Sequence, residues 1–385
     1  MALSVTPADR MLPSDEAVDL IDLVRQIADA ELGPKVATYE HDGTFFREEL
    51  RMLGKSGLLS LPYGEEHGGG GQPYEVYLQV LEELAGTWLS LGISVSVHTL
   101  SCFPVAVFGT DEQKARWLPD MLGGDRLGAY CLSEPQSGSD AAALLTRAVR
   151  EGDDYVVTGT KAWITHGGVA DFYNLMVRTS DDGARGISCL LADSGTEGLS
   201  SGPPERKMGA KASRTAQVLL DGAHVPADRM IGAPGQGFKI ALAALDAGRL
   251  GMAACAVGLA QAALDAATAY ATQRRQFGRA IGEFQGMQFL LADLATAVSA
   301  ARALYLEAAR RKDRGLAFSV EAAKAKLFAT DTAMRVTTDA VQVFGGYGYV
   351  EDFPVERFMR EAKVLQIVEG TNQVQRMVIG RSLTS

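Results

Sequence analysis

GFKIALAALDAGRLGMAACAVGLAQAALDAATAYATQRR, residues 237–275, decides the fold. It runs without proline and is dominated by Ala and Leu, a pattern that reads as one long helix and not as strands. Two more helical segments follow, FQGMQFLLADLATAVSAARALYLEAARRKDRG (284–315) and SVEAAKAKLFATDTAMRVTTDAVQVFGG (319–346). With a shorter C-terminal helix they predict a four-helix bundle over 234–385.

Moving towards the N-terminus, residues 124–233 change character. YVVTGTKAWIT, FYNLMVRTS, ISCLLAD and TAQVLLDGAHV are short and β-rich, punctuated by Gly, Asp and Pro, as antiparallel strands joined by turns would be. Residues 1–123 return to helix. EAVDLIDLVRQIADAEL carries Val18, Ile21, Val24 and Ile27 at helical spacing, with Ser14 placed as an N-cap. FREELRMLGKSGLLSL and YEVYLQVLEELAGTWLSLGISVSV continue in that style, separated by the glycine run at 68–71. The expected class is α+β: an N-terminal helical domain (1–123), a middle antiparallel β domain (124–233) and the C-terminal bundle. The order helix, sheet, helix argues against a βαβ sheet.

A chain of 385 residues with 47% apolar and 22% charged residues has the composition of a globular enzyme of two or three units. The net charge of −10 disfavours nucleic-acid binding, which depends on neutralising phosphates. Cys102, Cys131, Cys189 and Cys255 show no CxxC spacing, and the five histidines are scattered. A reducing compartment is expected, and no metal site. The N-terminal stretch lacks the features of a leader, and no apolar run is judged long enough to cross a membrane; the expected location is the cytoplasm. P-loop, Rossmann and nucleophile-elbow patterns are missing, and FGGYGYV follows a helix and not a strand.

Three stretches carry chemistry. In IVEGTNQVQR (367–376) a lone carboxylate, Glu369, follows apolar residues and precedes a glycine. Alone it reads as a solvated helix-end charge; a half-desolvated base would need the same placement. AYCLSEPQSGSDAA (129–142) ends a strand in hydroxyls and free N–H groups suited to an anionic or heteroaromatic ligand. KAWITHGG (161–168) sets a Trp beside a Thr at a strand end, where it is either core or the wall of a flat ring.

Together these stretches resemble the signatures of the acyl-CoA dehydrogenase family. RRQFG (274–278) and AVQVFGGYGYVEDFPVERFMREAK (340–363) add to the likeness, which covers essentially the whole chain. The resemblance implies an FAD-dependent flavoprotein oxidoreductase of fatty acid metabolism and β-oxidation. It would convert an acyl-CoA to the trans-2-enoyl-CoA, with Glu369 taking the α proton and a hydride passing to flavin N5. Ser133, Ser139, Trp163 and Thr165 would contact FAD, as would Thr371 and Gln373. Arg274, Phe277, Gln342 and Gly346 would hold the adenine half of an FAD in a neighbouring subunit. Arg249 in LDAGR would fix the CoA portion, and Gly370 would let the backbone approach the substrate. Electron-transfer flavoprotein is the implied acceptor, and the homotetramer the implied assembly.

Departures are few. Ser133 stands where the family has Thr, and His166 where Asn is usual, a change expected to alter the flavin's surroundings or its reactivity with oxygen. Gln136 and Ser137 replace small residues and are expected to shift the CoA-facing surface. Some relatives carry the base one residue before the arginine of the LDxxR helix; here that position is Gly248, leaving Glu369. Gly92, Ser94 and Ser96 of LSLGISVSVHTLS are expected to line the acyl pocket. Short or medium saturated chains are favoured. The rival readings are an oxidase on the same fold, a dehydrogenase acting on a carrier-protein thioester, and a non-catalytic flavin-binding scaffold.

Overall fold

The computed structural model describes residues 10–384; the first nine residues of the N-terminal reading lie outside the described residues. Six helices come first: α1 (Asp15–Ile27), α2 (Val36–Asp42), α3 (Arg47–Lys55), α4 (Tyr74–Thr87), α5 (Leu89–Phe108) and α6 (Asp111–Leu122). Ser14 caps α1, its Oγ accepting from the Ala17 N–H at 3.2 Å. The buried stripe runs Ala17, Ile21, Val24, Ala28. Val18 is 44% exposed and Ile27 is half-buried, so the helix sits about one position round from the expected face. The segment expected as one helix over 74–97 breaks at Trp88, whose backbone is extended. The break is fixed by tertiary bonds: the Trp88 indole donates to Glu40 at 2.7 Å, and Glu40 also accepts from the Lys211 N–H.

The strands are β1 (Gly128–Cys131), β2 (Arg147–Glu151), β3 (Asp154–Thr165), β4 (Phe172–Arg178), β5 (Ile187–Asp193), β6 (Leu199–Ser201), β7 (Thr215–Pro226) and β8 (Met230–Ile231). They form one sheet in the order β6-β7-β3-β2-β4-β5-β8, with β1 also on β4. β1 and β2 both meet β4 in parallel, and the other pairs are antiparallel. The sheet is therefore mixed and not wholly antiparallel. The β2–β3 hairpin lies in the chain between β1 and β4 and supplies the long connection that a parallel pair needs.

A buried ion pair ties the sheet to the loop after β1. The Lys161 ammonium donates to Glu134 at 2.7 Å and to the carbonyls of Met176 and Leu132 at 2.5 and 3.3 Å. Glu134 also accepts from the N–H groups of Leu145 and Thr146 at 2.6 and 3.0 Å.

The last third holds α7 (Gly237–Gln273), a small hairpin of β9 (Arg275–Gln276) and β10 (Arg279–Ala280), then α8 (Gln285–Asp313), α9 (Ser319–Phe344), α10 (Val355–Leu365) and α11 (Asn372–Thr384). The three long helices are as expected, while the fourth is divided into α10 and α11. α7 is buried on every side between residues 247 and 260 and forms the centre of the main core with α4, α5, α8 and α9. α5, α7 and α8 are each long and apolar enough to cross a membrane by length and composition, which corrects the expectation that no run reaches that length. Their apolar Leu, Val, Ile and Ala positions are interleaved with Gly, Ser and other polar residues, so no unbroken apolar run shows in the sequence. The most apolar windows of α5 and α7 are 78% buried inside the protein, whereas that of α8 is only 22% buried.

Replacing Lys161 by Ala leaves Glu134 as a buried, unpaired charge. The expected cost is about 3–5 kcal/mol, read as a lower midpoint in urea unfolding. An unchanged midpoint would show that the pair contributes nothing.

Candidate active site

Glu369 lies in the turn between α10 and α11. Its φ is +54° and that of Gly370 is +92°, a left-handed pair that swings the chain back on itself. An L-residue adopts this conformation only when its surroundings hold it there. Both carboxylate oxygens are buried and have no hydrogen-bond partner. Oε2 lies against Gly248 of α7, in the place a Cβ at 248 would occupy. Burial pushes the carboxyl up to about 7, against the opposing pull of Lys326 and Arg249. The fold alone supplies this burial, without a bound acyl chain.

The turn is held from behind. Lys326 of α9, fully buried, donates to the Gly370 carbonyl and to Asn372 Oδ1, both at 2.9 Å. Gln375 donates to the same carbonyl at 2.8 Å. Asn372 donates to Asp331 at 2.7 Å and to Thr330 at 2.9 Å. Sequence reasoning missed Lys326. Its signal is position: it falls on the stripe of Ala322, Ala325, Ala329 and Ala333, the face that α9 turns to the core.

A cavity of about 110 Å³ approaches Gly248 between α4, α5 and α7. Tyr74, Tyr77, Ser96, Thr99 and Phe103 line it, with Lys312 at one side. Ser96 therefore lines the cavity as expected. Gly92 packs on Ala85 and Ser94 faces Ser213, so neither widens it. The charge run RRKDRG is more than a wet helix end: Asp313 accepts from the N–H groups of Tyr74 and Glu75 at 2.7 and 3.1 Å, capping α4. Arg249 is buried and paired with Asp246 at 2.5 Å, and its Nε has no partner.

The two stretches around β1 and β3 place their residues differently. β3 slips register against β7 between Lys161 and Ile164. That bulge, with φ of +62° at Trp163, turns the indole outward, 66% exposed. Thr165 is half-buried at the strand end. The Ser133 carbonyl accepts from the Ala162 N–H at 2.9 Å, which joins the two stretches, and Ser139 is exposed. Gln136 is exposed and bonds Glu134, whereas Ser137 is buried with its Oγ on the Asp140 carbonyl; only the first lies on the surface as expected. His166 is fully buried, its Nδ1 2.8 Å from the Gly128 carbonyl and its ring edge-on to Phe45. Burial pushes its imidazole down to about 3. The ring is a neutral part of the packing behind the strand and does not share Trp163's exposed face.

A second group lies at the other end of α7. Arg274 sits over the Tyr347 ring at 5.6 Å, Phe277 is 94% exposed with φ of +52°, and Gln342 and Gly346 are exposed nearby in sequence. From Gly248 to Arg274 is ~39 Å along the helix axis, at ~1.5 Å per residue. One chain does not bring these four residues to Glu369. Thr371 and Gln373 do lie beside the base: the Thr371 hydroxyl accepts from the Val374 N–H at 3.3 Å, and Gln373 is exposed.

Three adjoining regions match the acyl-CoA dehydrogenase descriptions: the N-terminal domain over residues 14–125, the middle domain over 129–223 and the C-terminal domain over 235–384. The chain belongs to the acyl-CoA dehydrogenase family, and with it to the FAD-dependent oxidoreductases of fatty acid β-oxidation. It is 43% identical over 359 residues to "Acyl-CoA dehydrogenase, short-chain specific" of Clostridium acetobutylicum, covering 93% of this chain and 95% of that protein. Butyryl-CoA dehydrogenase of Megasphaera elsdenii superimposes with a TM-score of 0.95 at 41% identity, covering 98% of this chain and 100% of the other. A chain in a structure described as "Electron transferring flavoprotein of Acidaminococcus fermentans: Towards a mechanism of flavin-based electron bifurcation" gives a TM-score of 0.95 at 42% identity, covering 98% and 99%.

An alanine at position 248 overlaps the Glu369 carboxylate and must displace it. Gly248→Ala is expected to fold and to lose on the order of 10²-fold in acyl-CoA oxidation, the cost of misplacing a reacting group by about 1 Å. Assay of the purified variant beside the native protein checks this.

Proposed function

We propose that this enzyme dehydrogenates short saturated acyl-CoA thioesters with Glu369 as the base. The observation that carries the reading is the Glu369 carboxylate, buried and unpartnered, where the cavity meets Gly248. A carboxyl held at about 7 is poised to take a proton near neutral pH. Among the described residues the Glu369 N–H makes no backbone hydrogen bond, which leaves it for the thioester oxygen as negative charge develops there. Gly370 keeps the backbone beside it open, and Arg249 fixes the CoA side of the substrate.

The residues present fit FAD. Trp163 offers an exposed aromatic face on a strained bulge, with Thr165 and Ser133 beside it and Ser139 exposed for the pyrophosphate. Thr371 and Gln373 complete the near side. FAD, when bound, accepts the β hydride. The chain's own task is to orient the ring, exclude water and hold the α proton's acceptor in place.

The modest cavity of about 110 Å³ against Gly248 supports a short chain. The named short-chain and butyryl specificities of the relatives support the same choice. Arg274, Phe277, Gln342 and Gly346 are assigned to the adenine half of an FAD seated in a second copy. The separation along α7 and the exposed Phe289 of α8 support assembly, with a homotetramer as the expected form. Electron-transfer flavoprotein is the proposed acceptor, supported by the likeness to the Acidaminococcus fermentans structure. Four free, buried cysteines fit the cytoplasm. The unit boundaries at 123/124 and 233/234 belong to the same reading.

Anaerobic addition of acyl-CoAs of increasing length tests the function. Butyryl-CoA is expected to bleach the flavin fully and long chains poorly; a flavin that no acyl-CoA bleaches overturns the reading, and peroxide formation in air would favour the oxidase. Glu369→Gln is expected to keep FAD and acyl-CoA binding and to lose roughly 10²–10⁴-fold or more in turnover. In the native enzyme kcat/KM should fall through an acid limb near pH 7, because the base must be ionised and its carboxyl lies at about 7.

A further inference from the structure

Lys326 is buried within the core face of α9, and both its hydrogen-bond acceptors are neutral oxygens, the Gly370 carbonyl and Asn372 Oδ1, at 2.9 Å each. A buried ammonium is costly unless its surroundings answer it. Two neutral oxygens answer it in part, and the charge is left to act on its neighbours. The group directly beyond the Gly370 peptide is Glu369.

We propose that Lys326 is a positioning residue for the base: its ammonium pins the Gly370 carbonyl and, through Asn372, the start of α11, and its positive charge faces the Glu369 carboxylate. The inference rests on the reading of Glu369 as base. The geometry makes two separable contributions. The hydrogen bond to Gly370 helps hold the left-handed pair at 369–370 and so the carboxylate's place against Gly248. The charge favours the ionised carboxylate and opposes the burial that raises its pKa. The surroundings leave few other groups for that electrostatic part. Arg249 of α7 is the other cation acting on Glu369, and it is already paired with Asp246. Tyr74 and Tyr77 of α4, Cys255 of α7 and Tyr130 of β1 also face the carboxylate, and burial raises all four pKa values, keeping them neutral. Burial pushes Lys326 itself down to about 8, with Glu369 and Asp331 opposing the shift and Arg249 adding to it, so the ammonium is still charged through an acid limb near pH 7.

Removing the positive charge raises the Glu369 pKa, so the acid limb of kcat/KM moves to higher pH. Removing only the hydrogen bond lowers the rate at every pH and leaves the limb in place.

The test compares Lys326→Gln, which keeps a donor without charge, Lys326→Met, which keeps neither, and Lys326→Arg, which keeps the charge. FAD content and oligomeric state are recorded for each. The Gln and Met variants are expected to shift the acid limb upward by roughly one pH unit, hence about a tenfold loss below the limb, with Met slower than Gln throughout. The Arg variant is expected to hold the limb at its native position. If the Gln variant fails to fold, the Met variant carries the same prediction, since an apolar side chain of similar length is the easier one to bury. An unmoved acid limb in folded, FAD-loaded Gln or Met variants overturns the proposal, and so does an Arg variant whose limb shifts as far as theirs. Glu369→Gln separates the two levels: if it keeps near-native turnover, the base assignment itself fails. If it is inactive while the Lys326 variants keep the native limb, the base stands and the positioning role falls.

Discussion

The structure turns on one unfavourable act, the burial of a carboxylate with no partner. Glu369 places both oxygens out of water, and nothing in the fold neutralises them at contact distance. Such a group survives only because several features collaborate. α7 must be glycine at 248, or the carboxylate has no room. The chain must turn through two left-handed residues to aim it there. Lys326 and Gln375 must hold the carbonyl of the turn from the far side. The destabilisation is local, and the deeply packed α7 core around it absorbs the cost.

Backbone strain is not scattered at random through this chain. Among the described residues the non-glycine positions with positive φ are Trp163, His166, Ala210, Phe277 and Glu369. Three of these are candidate site residues, and His166 adjoins a fourth, Thr165. The pattern is the one expected when strain is kept where a side chain must be aimed. At Trp163 a bulge turns a large aromatic outward, and at His166 the next left-handed residue turns a ring inward to the Gly128 carbonyl. One short stretch thus presents a flat exposed face and backs it with a neutral, packed imidazole.

Much of the fold was legible because long, proline-free Ala-rich helices and short β-rich segments have unambiguous periods. What failed was decided by tertiary bonds. The break at Trp88 follows from Glu40, which is distant in sequence and satisfies the indole there. The parallel placement of β1 depends on a strand more than forty residues later, and local pattern cannot report it. The site was legible where its residues form contiguous signatures, as around Glu369 and Trp163. It was illegible at Lys326, Gln375 and Asp313, whose roles exist only once separate helices meet. A lysine on an alanine stripe was nevertheless a visible anomaly, since a charge on a core-facing position requires a reason.

The two groups of candidate cofactor residues pose a last physical problem. One lies beside Glu369, and the other is ~39 Å along α7 at ~1.5 Å per residue, a span well beyond one dinucleotide. Phe277 is almost fully exposed there, and Phe289 of α8 is 62% exposed. Large exposed apolar surfaces on a folded chain call for a covering partner. In the proposed assembly a second copy would supply one and, in doing so, would carry its own distal group towards the first copy's near site. In that arrangement the exposed aromatic residues and the strained hairpin tip have a common cause. On that proposal each chain would hold its own candidate base and only part of a cofactor site, so that assembly and flavin binding would strengthen each other by mass action.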